Sequence, residues 1–329
     1  MHPLTELGIT RVPCPVPFPE AGGPVNVYVI EEDGGGVALF DSGLGTPAGE
    51  EAVQEGLKAL GLGFQSVRRV LLSHGHIDHY GLAQTIREAS GAPVFVHELD
   101  RNKVELPGEE FQRSRAAYDG YLTRLGVDRS AIAMLGKGQR YTLTMARAVE
   151  KTEPLLDGEQ LRFRHFSATV VHAPGHTPGL CCLHVPEHGL FFAGDHLLER
   201  VSPNPLLEVG PEGETAKFRA LATYLKTAAK TRELDLELIL PGHDQPFHDH
   251  RKVIDGLVSF YARRQGRLLA KLADGPKSAV ELVQHLFPHV GLRSLYLTLS
   301  EVVGNLEVLE EKGAVVMLPA EPIYRWRLA

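Results

Sequence analysis

Four side chains able to bind a divalent metal stand within one short stretch, His74-Gly75-His76-Ile77-Asp78-His79. Imidazole nitrogen and carboxylate oxygen are the donors that hard or borderline ions prefer. Three more donors follow singly: His176 in Ala173-Pro174-Gly175-His176, Asp195 in Phe191-Phe192-Ala193-Gly194-Asp195, and His243 in Leu238-Ile239-Leu240-Pro241-Gly242-His243. Each sits where an apolar or β-branched run closes on Gly or Pro, as at the end of a strand. An isolated His-x-His pair is more often incidental than a site; seven donors in this pattern predict one that holds two ions. An extended loop can point His74 and His76 the same way, with Gly75 keeping the backbone slim, while Asp78 and His79 turn towards a second ion. Asp195 is the expected bridge, since a carboxylate has an oxygen for each metal. Two ions about 3.5–4 Å apart can turn a shared water into hydroxide at neutral pH and polarise the group it attacks. That chemistry is hydrolysis of a carbonyl or phosphoryl centre without a serine or cysteine nucleophile, carried above all by Asp78 and Asp195.

The surrounding sequence supplies elements to hold these donors. Arg69-Val70-Leu71-Leu72 reads as a buried strand delivering the His74–His79 loop. Before it, Val25–Ile30 and Val37–Phe40 flank Asp33-Gly34-Gly35-Gly36 as a hairpin, and Pro47–Leu60 carries helical spacing. Ala83–Ser90 reads as a helix and Pro93–Val96 as a strand. Residues 98–150 then break the rhythm, being polar, charged and helical in character. Leu161–His196 is strand-rich, Thr215–Ala229 helical, and Leu236–Leu240 a strand. Pro174-Gly175 and Pro241-Gly242 are expected to make the bends that aim His176 and His243. From about Ile254 the pattern becomes three helices, the third carrying Leu295, Leu299, Val302, Leu306 and Leu309 and stopped by Gly313. Ala314–Leu318 and Ile323–Leu328 follow as two strands joined through a Pro-containing turn. Three helices and a hairpin predict a winged-helix arrangement over 254–329 behind a hydrolase domain over 1–253.

With 329 residues, 43% hydrophobic and 23% charged, the chain has the composition of a globular protein larger than one ordinary core. A formal charge of −7 gives no generic surface for polyanions. No apolar run approaches the roughly 20 residues that cross a bilayer, and Met1-His2-Pro3-Leu4-Thr5-Glu6-Leu7-Gly8 lacks a secretory pattern. Three cysteines, two of them adjacent, make no disulfide framework, so Cys14, Cys181 and Cys182 are expected to be packing residues of a cytoplasmic protein.

On the H-x-H-x-D-H motif at His74, His76, Asp78 and His79, with His176, Asp195 and His243 downstream, the chain resembles the metallo-β-lactamase superfamily, and its pattern resembles the glyoxalase-II-like branch. The resemblance covers roughly residues 20–250. It implies a mixed α/β, four-layered αββα sandwich with the site at one edge between the sheets. It also implies that His74, His76 and His176 hold one metal, that Asp78, His79 and His243 hold the other, and that Asp195 bridges them. Asp41 matches an early acidic position that supports ligands rather than acting as one. The bridging Asp195 and the Asp78-His79 pair look unlike the antibiotic-degrading members, where cysteine takes one of these roles.

The C-terminal part resembles the winged-helix extension of the β-lactamase-like-protein-2 group, some of whose members look like endoribonucleases. The expected function is therefore hydrolysis of a small thioester, ester or lactone by two divalent ions, zinc before iron or manganese, with RNA or phosphodiester hydrolysis as the alternative. Glutathione thioesters are disfavoured, because the winged-helix tail replaces the one glyoxalase II uses for glutathione. A one-iron oxidation, as in the sulfur dioxygenases, fits the seven donors less well. A ligand-sensing regulator that reads DNA would need a basic third helix. Here Arg293 and Lys312 stand against Glu301, Glu307, Glu310 and Glu311, which suits a stabilising or dimerising module instead. Residues 98–150 are expected to fold over the site as a lid, with a surface insertion or homodimer arm as the plainer alternative. Among the remaining residues, Tyr80 is assigned to packing before proton donation, His196 to packing before the site, and His248 and His250 to solvent.

Overall fold

The computed structural model describes residues 4–210, 213, 217–289, 291–319 and 322–329. Two sheets carry the first three quarters of the chain. The first contains β1 (Ile9–Cys14), β2 (Val25–Glu31), β3 (Val37–Phe40), β4 (Val67–Leu71), β5 (Val94–Val96) and β6 (Glu153–Pro154), hydrogen-bonded in that order. The second contains β7 (Gln160–Arg162), β8 (Ser167–His172), β9 (Cys181–Val185), β10 (Leu190–Gly194) and β11 (Leu238–Pro241), in reverse order from β11 to β7. Helices α1 (Pro47–Lys58), α2 (Ile77–Tyr80) and α3 (Ala83–Ser90) lie between strands of the first sheet, whereas α4 (Arg101–Glu105), α5 (Pro107–Arg124) and α6 (Arg129–Leu143) fill the 98–150 stretch. They are followed by α7 (Ala220–Arg232), α8 (His250–Leu272), α9 (Ala279–Leu286), α10 (Leu292–Glu311) and a hairpin of β12 (Val315–Leu318) and β13 (Arg325–Leu328).

Alternation along β2 explains the layering, because successive side chains of a strand face opposite ways. Val27 and Val29 point outward to a core with Val53 and Leu57 of α1 and Ile86 of α3. Tyr28 and Ile30 point inward, where Phe40 and Leu71 meet Val170, Leu183, Phe192 and Leu240 of the second sheet. The outer face of that sheet, with Cys182, Phe191 and Ile239, is covered by Leu221 and Tyr224 of α7 and Ile254 and Tyr261 of α8. Helix, sheet, sheet and helix are therefore stacked as four layers.

A fourth apolar cluster joins parts distant in sequence. Tyr118, Tyr121 and Leu122 of α5 and Ile132 of α6 pack with Leu282 of α9, Leu299, Val302 and Leu306 of α10, and Trp326 of β13. Helix α8 spans both bodies, since Tyr261 belongs to the sandwich side and Leu268 and Leu272 to this cluster.

Element bounds differ from the sequence expectation mainly at their ends. The described part of the 215–229 helix runs Ala220–Arg232, and Thr215 lies outside the described residues, as do 320 and 321 in the turn before β13. His250 is a correction: it is only 2% exposed, not solvated. Asp249, at φ 57°, turns the chain there. Arg251 then donates to the carbonyls of Arg232 and Leu234, drawing the start of α8 onto the end of α7. The three cysteines are free and buried, as expected of packing residues. Among the described residues no helix is long and apolar enough to cross a membrane.

Candidate metal centre

All seven predicted donors come together at one edge of the sandwich. His74 leaves the end of β4, His176 the turn after β8, Asp195 the end of β10 and His243 the end of β11, while Asp78 and His79 lie in α2. The ends of β10 and β11 coincide because these strands are parallel neighbours, with Gly194 paired to Pro241. Their order in space is simple. His74 Nε2 and His176 Nε2 stand 2.9 and 3.0 Å from His76 Nδ1, a triad of facing ring nitrogens. Asp78, His79 and His243 form a second triad, His243 Nε2 lying 3.4 Å from Asp78 Oδ2. Asp195 stands between them, with Oδ1 3.5 Å from His79 Nε2 and Oδ2 3.4 Å from His176 Nε2 and 3.6 Å from His243 Nε2.

These groups fit metal ions better than they fit one another. His79 Nε2 and Asp195 Oδ1 are buried without a hydrogen-bond partner, a costly state unless something else satisfies both. Burial and neighbouring imidazoles push His74 well below its usual pKa, and burial and His176 lower that of His76 to about 3, so both rings offer lone pairs. Burial also lowers His176. Burial alone would raise Asp78, but His79 and His243 bring it down to about 2; Asp195 is likewise lowered, His243 and His79 outweighing its burial. His79 and His243 are themselves raised, because Asp195 and its carboxylate neighbours overcome their burial. The distances of about 3 Å between donors also suit ligands sharing an ion at roughly 2.0–2.2 Å.

The other nitrogen of each Nε2-facing ring is anchored, the arrangement that fixes tautomer and aim in metal-binding histidines. His79 Nδ1 lies 2.8 Å from Asp41 Oδ2. His74 Nδ1 lies 2.9 Å from Ser73 Oγ, which donates to the same Asp41 oxygen at 2.8 Å. His176 Nδ1 reaches the Asn204 carbonyl and His243 Nδ1 the Gly23 carbonyl, each at 3.2 Å. Asp41 also accepts from the Ser73 backbone N–H at 2.7 Å, and it does so from a left-handed backbone at φ 62°. Strain of that kind in a non-glycine residue persists only when its surroundings impose it.

Glycine is required at two of the bends. A Cβ on Gly242 would stand 2.3 Å from Asp195 Oδ1 and 2.9 Å from His79 Cε1. One on Gly175, at φ 155°, would stand 2.5 Å from the Tyr224 backbone. The Gly242 bend thus lets the chain approach the site closely, and the Gly175 bend lets the His176 loop approach α7.

Sequence reasoning missed Asp100. This fully buried carboxylate accepts from Gly75 N–H at 3.0 Å and Thr177 Oγ1 at 2.6 Å through one oxygen, and from Gly179 N–H at 3.3 Å through the other. It ties the His74–His76 loop to the His176 loop, and Lys103 Nζ lies 3.2 Å away as its counter-ion. His196, by contrast, is not among the assembled donors: its Nε2 bonds Thr231 Oγ1 at 2.8 Å, and its ring packs near Phe191 and Tyr224. His172 and His97 stack near the surface, 4.0 Å apart, and His248 is exposed.

Known proteins agree with this architecture. The profile of the Metallo-beta-lactamase superfamily matches residues 21–243. A metallo-beta-lactamase family protein from Thermus thermophilus superposes with a TM-score of 0.80 at 31% identity, over 98% of this chain and 99% of that one. A probable metallo-hydrolase of Bacillus subtilis is 28% identical over 95% of both chains. A human protein named as an acyl-coenzyme A thioesterase is 27% identical over 76% of this chain and 82% of its own. A layered sandwich, a profile over most of the chain and full-length relatives converge: the chain is a metallo-hydrolase belonging to the metallo-β-lactamase superfamily.

Proposed function

We propose that the protein is a dinuclear metallohydrolase of the glyoxalase-II-like pattern that cleaves small acyl thioesters, with esters and lactones as related carbonyl substrates. The observation that carries this reading is the pair of donor triads on either side of Asp195, whose Oδ1 faces His79 and whose Oδ2 lies between His176 and His243. His74, His76 and His176 would hold one ion, Asp78, His79 and His243 the other, and Asp195 both. Two divalent ions, zinc before iron or manganese, would supply an acidified water and the positive charge that draws electrons from a carbonyl. Asp41 and Ser73 keep His79 and His74 aimed; Asp100 holds the two donor loops in register. The cysteines do not suit a nucleophile's role: the three thiols are buried, and burial raises their pKa. Free cysteines also suit a cytoplasmic setting.

The thioester class draws support from the human relative's name, and the C-terminal part supports it indirectly. Helices α8, α9 and α10 with the β12–β13 hairpin, tied by a backbone bridge between Lys277 and Trp326, suit a winged-helix module over 254–329. Its third helix faces protein: Leu299, Val302, Val303 and Leu306 are fully buried, and Glu301 and Glu307 pair with Arg264 and Lys217. A helix so occupied braces the hydrolase rather than reading a nucleic acid, which leaves RNA as the weaker substrate.

The test is a matched panel of small acyl thioesters and lactones beside single-stranded RNA, given to the metal-loaded protein and to Asp195→Ala. Expected are about two metal equivalents on the wild type, thioester turnover, and its loss by at least a hundredfold in the variant. RNA cleavage alone, also lost in the variant, would overturn the carbonyl reading.

A further inference from the structure

Two hollows meet at His76, sharing Lys103, Glu110 and Leu206 at their junction. The first, of about 430 Å³, runs past Asp78 and is walled by Phe18, Ile77, Leu143, Leu206 and Leu297. These five side chains come from four separate parts of the fold besides the metal loop, and each is only half-buried, so they do not seal against one another. Tyr80 borders the same hollow, almost fully buried, its hydroxyl without a hydrogen-bond partner. The second hollow, of about 280 Å³, is mixed, carrying Ser114, Gln139 and Glu208 beside Tyr118 and Tyr296. Its cations are already engaged. Lys103 pairs with Asp100 and Glu208, and Arg115 pairs with Asp119 and donates to Gln139 and the Ile132 carbonyl.

A thioester has two halves that differ in this way, and the donor His76 stands where the two hollows join, with Asp78 beside it in the apolar one. Building on the hydrolase reading, we propose that the apolar hollow is an acyl-chain site: the substrate is the thioester of a straight-chain, medium-length carboxylic acid, and the mixed hollow takes a neutral, amide-bearing thiol half. A charged acyl group would bury its charge against five hydrocarbon side chains, a poor exchange with water. Hydrolysis forms a C–O bond from water to the acyl carbon and breaks the C–S bond; the thiol leaves with one proton of the water, and the other goes to solvent. Because Leu297 belongs to α10 and Leu143 to α6, the C-terminal helices and the 98–150 insertion set chain-length preference together with Phe18 and Ile77 of the sandwich.

The experiment uses the full-length, metal-loaded protein with acetyl, butanoyl, hexanoyl and octanoyl thioesters of N-acetylcysteamine. Each methylene buried should raise kcat/KM about fourfold until the hollow is full. Leu297→Trp and Leu143→Trp, which fill it from two different elements, should each lower the octanoyl-to-acetyl ratio of kcat/KM at least tenfold. A flat chain-length profile in the wild type, or a ratio untouched by both variants, overturns the acyl site while leaving thioester hydrolysis standing. If no thioester is turned over, the thioester reading itself fails, and the hollow is judged by calorimetry with octanoate and acetate. Preference for octanoate that Leu297→Trp abolishes then upholds the apolar site; equal or absent binding removes it.

Discussion

Asp100 does for the backbone what Asp41 does for the rings. Its two oxygens collect donors from the His74–His76 loop, the His176 loop and Lys103, so every lone pair that matters faces an N–H or O–H. Asparagine has nearly the same shape but turns an NH₂ group towards one of those sets of donors. Asp100→Asn should therefore leave at least one buried N–H without an acceptor and lower stability by about 1–3 kcal/mol, read as a drop in melting temperature. A purely structural loss would end there. A positioning role adds a second effect, because the spacing of His74, His76 and His176 depends on this tie: metal affinity, measured by competition with a chromophoric chelator, should fall about 10–100-fold. A variant that melts lower yet binds metal as tightly as the wild type would reduce Asp100 to packing. None of this was visible in the sequence, where Asp100 is one acidic residue in Glu98-Leu99-Asp100-Arg101 and its partners lie in three other places along the chain.

Elements were more legible than such ties, for reasons that differ along the chain. Strands β3 and β10 are continuous apolar runs because both faces are covered, and the donors could be placed at strand ends because Gly and Pro punctuate such runs. The pair β5–β6 was half hidden: Glu153-Pro154 is a strand only because Val96 and Phe95 lie beside it. His250 looked solvated between charged neighbours, and only the docking of α8 on α7 buries it. The start of α9 rests on local capping chemistry that the spacing of apolar residues did not reveal. Ser278 accepts from Glu281 N–H at 3.3 Å, while the Glu281 carboxylate accepts from Ser278 N–H at 2.7 Å, a reciprocal cap that starts α9 against the apolar cluster. Ser278→Ala removes the side-chain acceptor, and its site is almost closed to water, at 2% exposure. The expected cost is about 1 kcal/mol in chemical denaturation, with thioester turnover per folded molecule retained. An unchanged midpoint would mean that α9 is held by packing alone.

At the scale of the molecule, the insertion and the C-terminal helices pack into one apolar cluster, and both line the hollows that meet at His76. Their shared cluster draws Tyr118, Tyr121, Leu122 and Leu125 from the 98–150 stretch and Leu299, Val302, Leu306 and Trp326 from beyond α8. Lys217 links them again, donating to Tyr121 Oη at 2.7 Å and pairing with Glu307 of α10. A bond path also runs from α10 to a donor: Asn204 Nδ2 donates to the Leu297 carbonyl at 3.4 Å, and His176 Nδ1 lies 3.2 Å from the Asn204 carbonyl. The seven donors all belong to the sandwich, yet the groups that shape the cleft in front of them come from both bodies. Ending the chain after Leu272 keeps α8 on the sandwich but strips the partners from four large side chains of the insertion. At about 1.5–3 kcal/mol for each large apolar side chain, the loss is on the order of 10 kcal/mol, comparable with the whole stability of a typical domain. The shortened protein should therefore fail to fold cooperatively, or fold with an insertion that proteases cut within α5 or α6. The check is limited proteolysis with mass spectrometry beside a thermal melt of both chains. A truncated protein that melts as the full chain does, keeps α5 and α6 uncut and hydrolyses thioesters with the same chain-length preference would show that the C-terminal helices are a detachable appendage, and the cleft would then have to be explained by the sandwich and insertion alone.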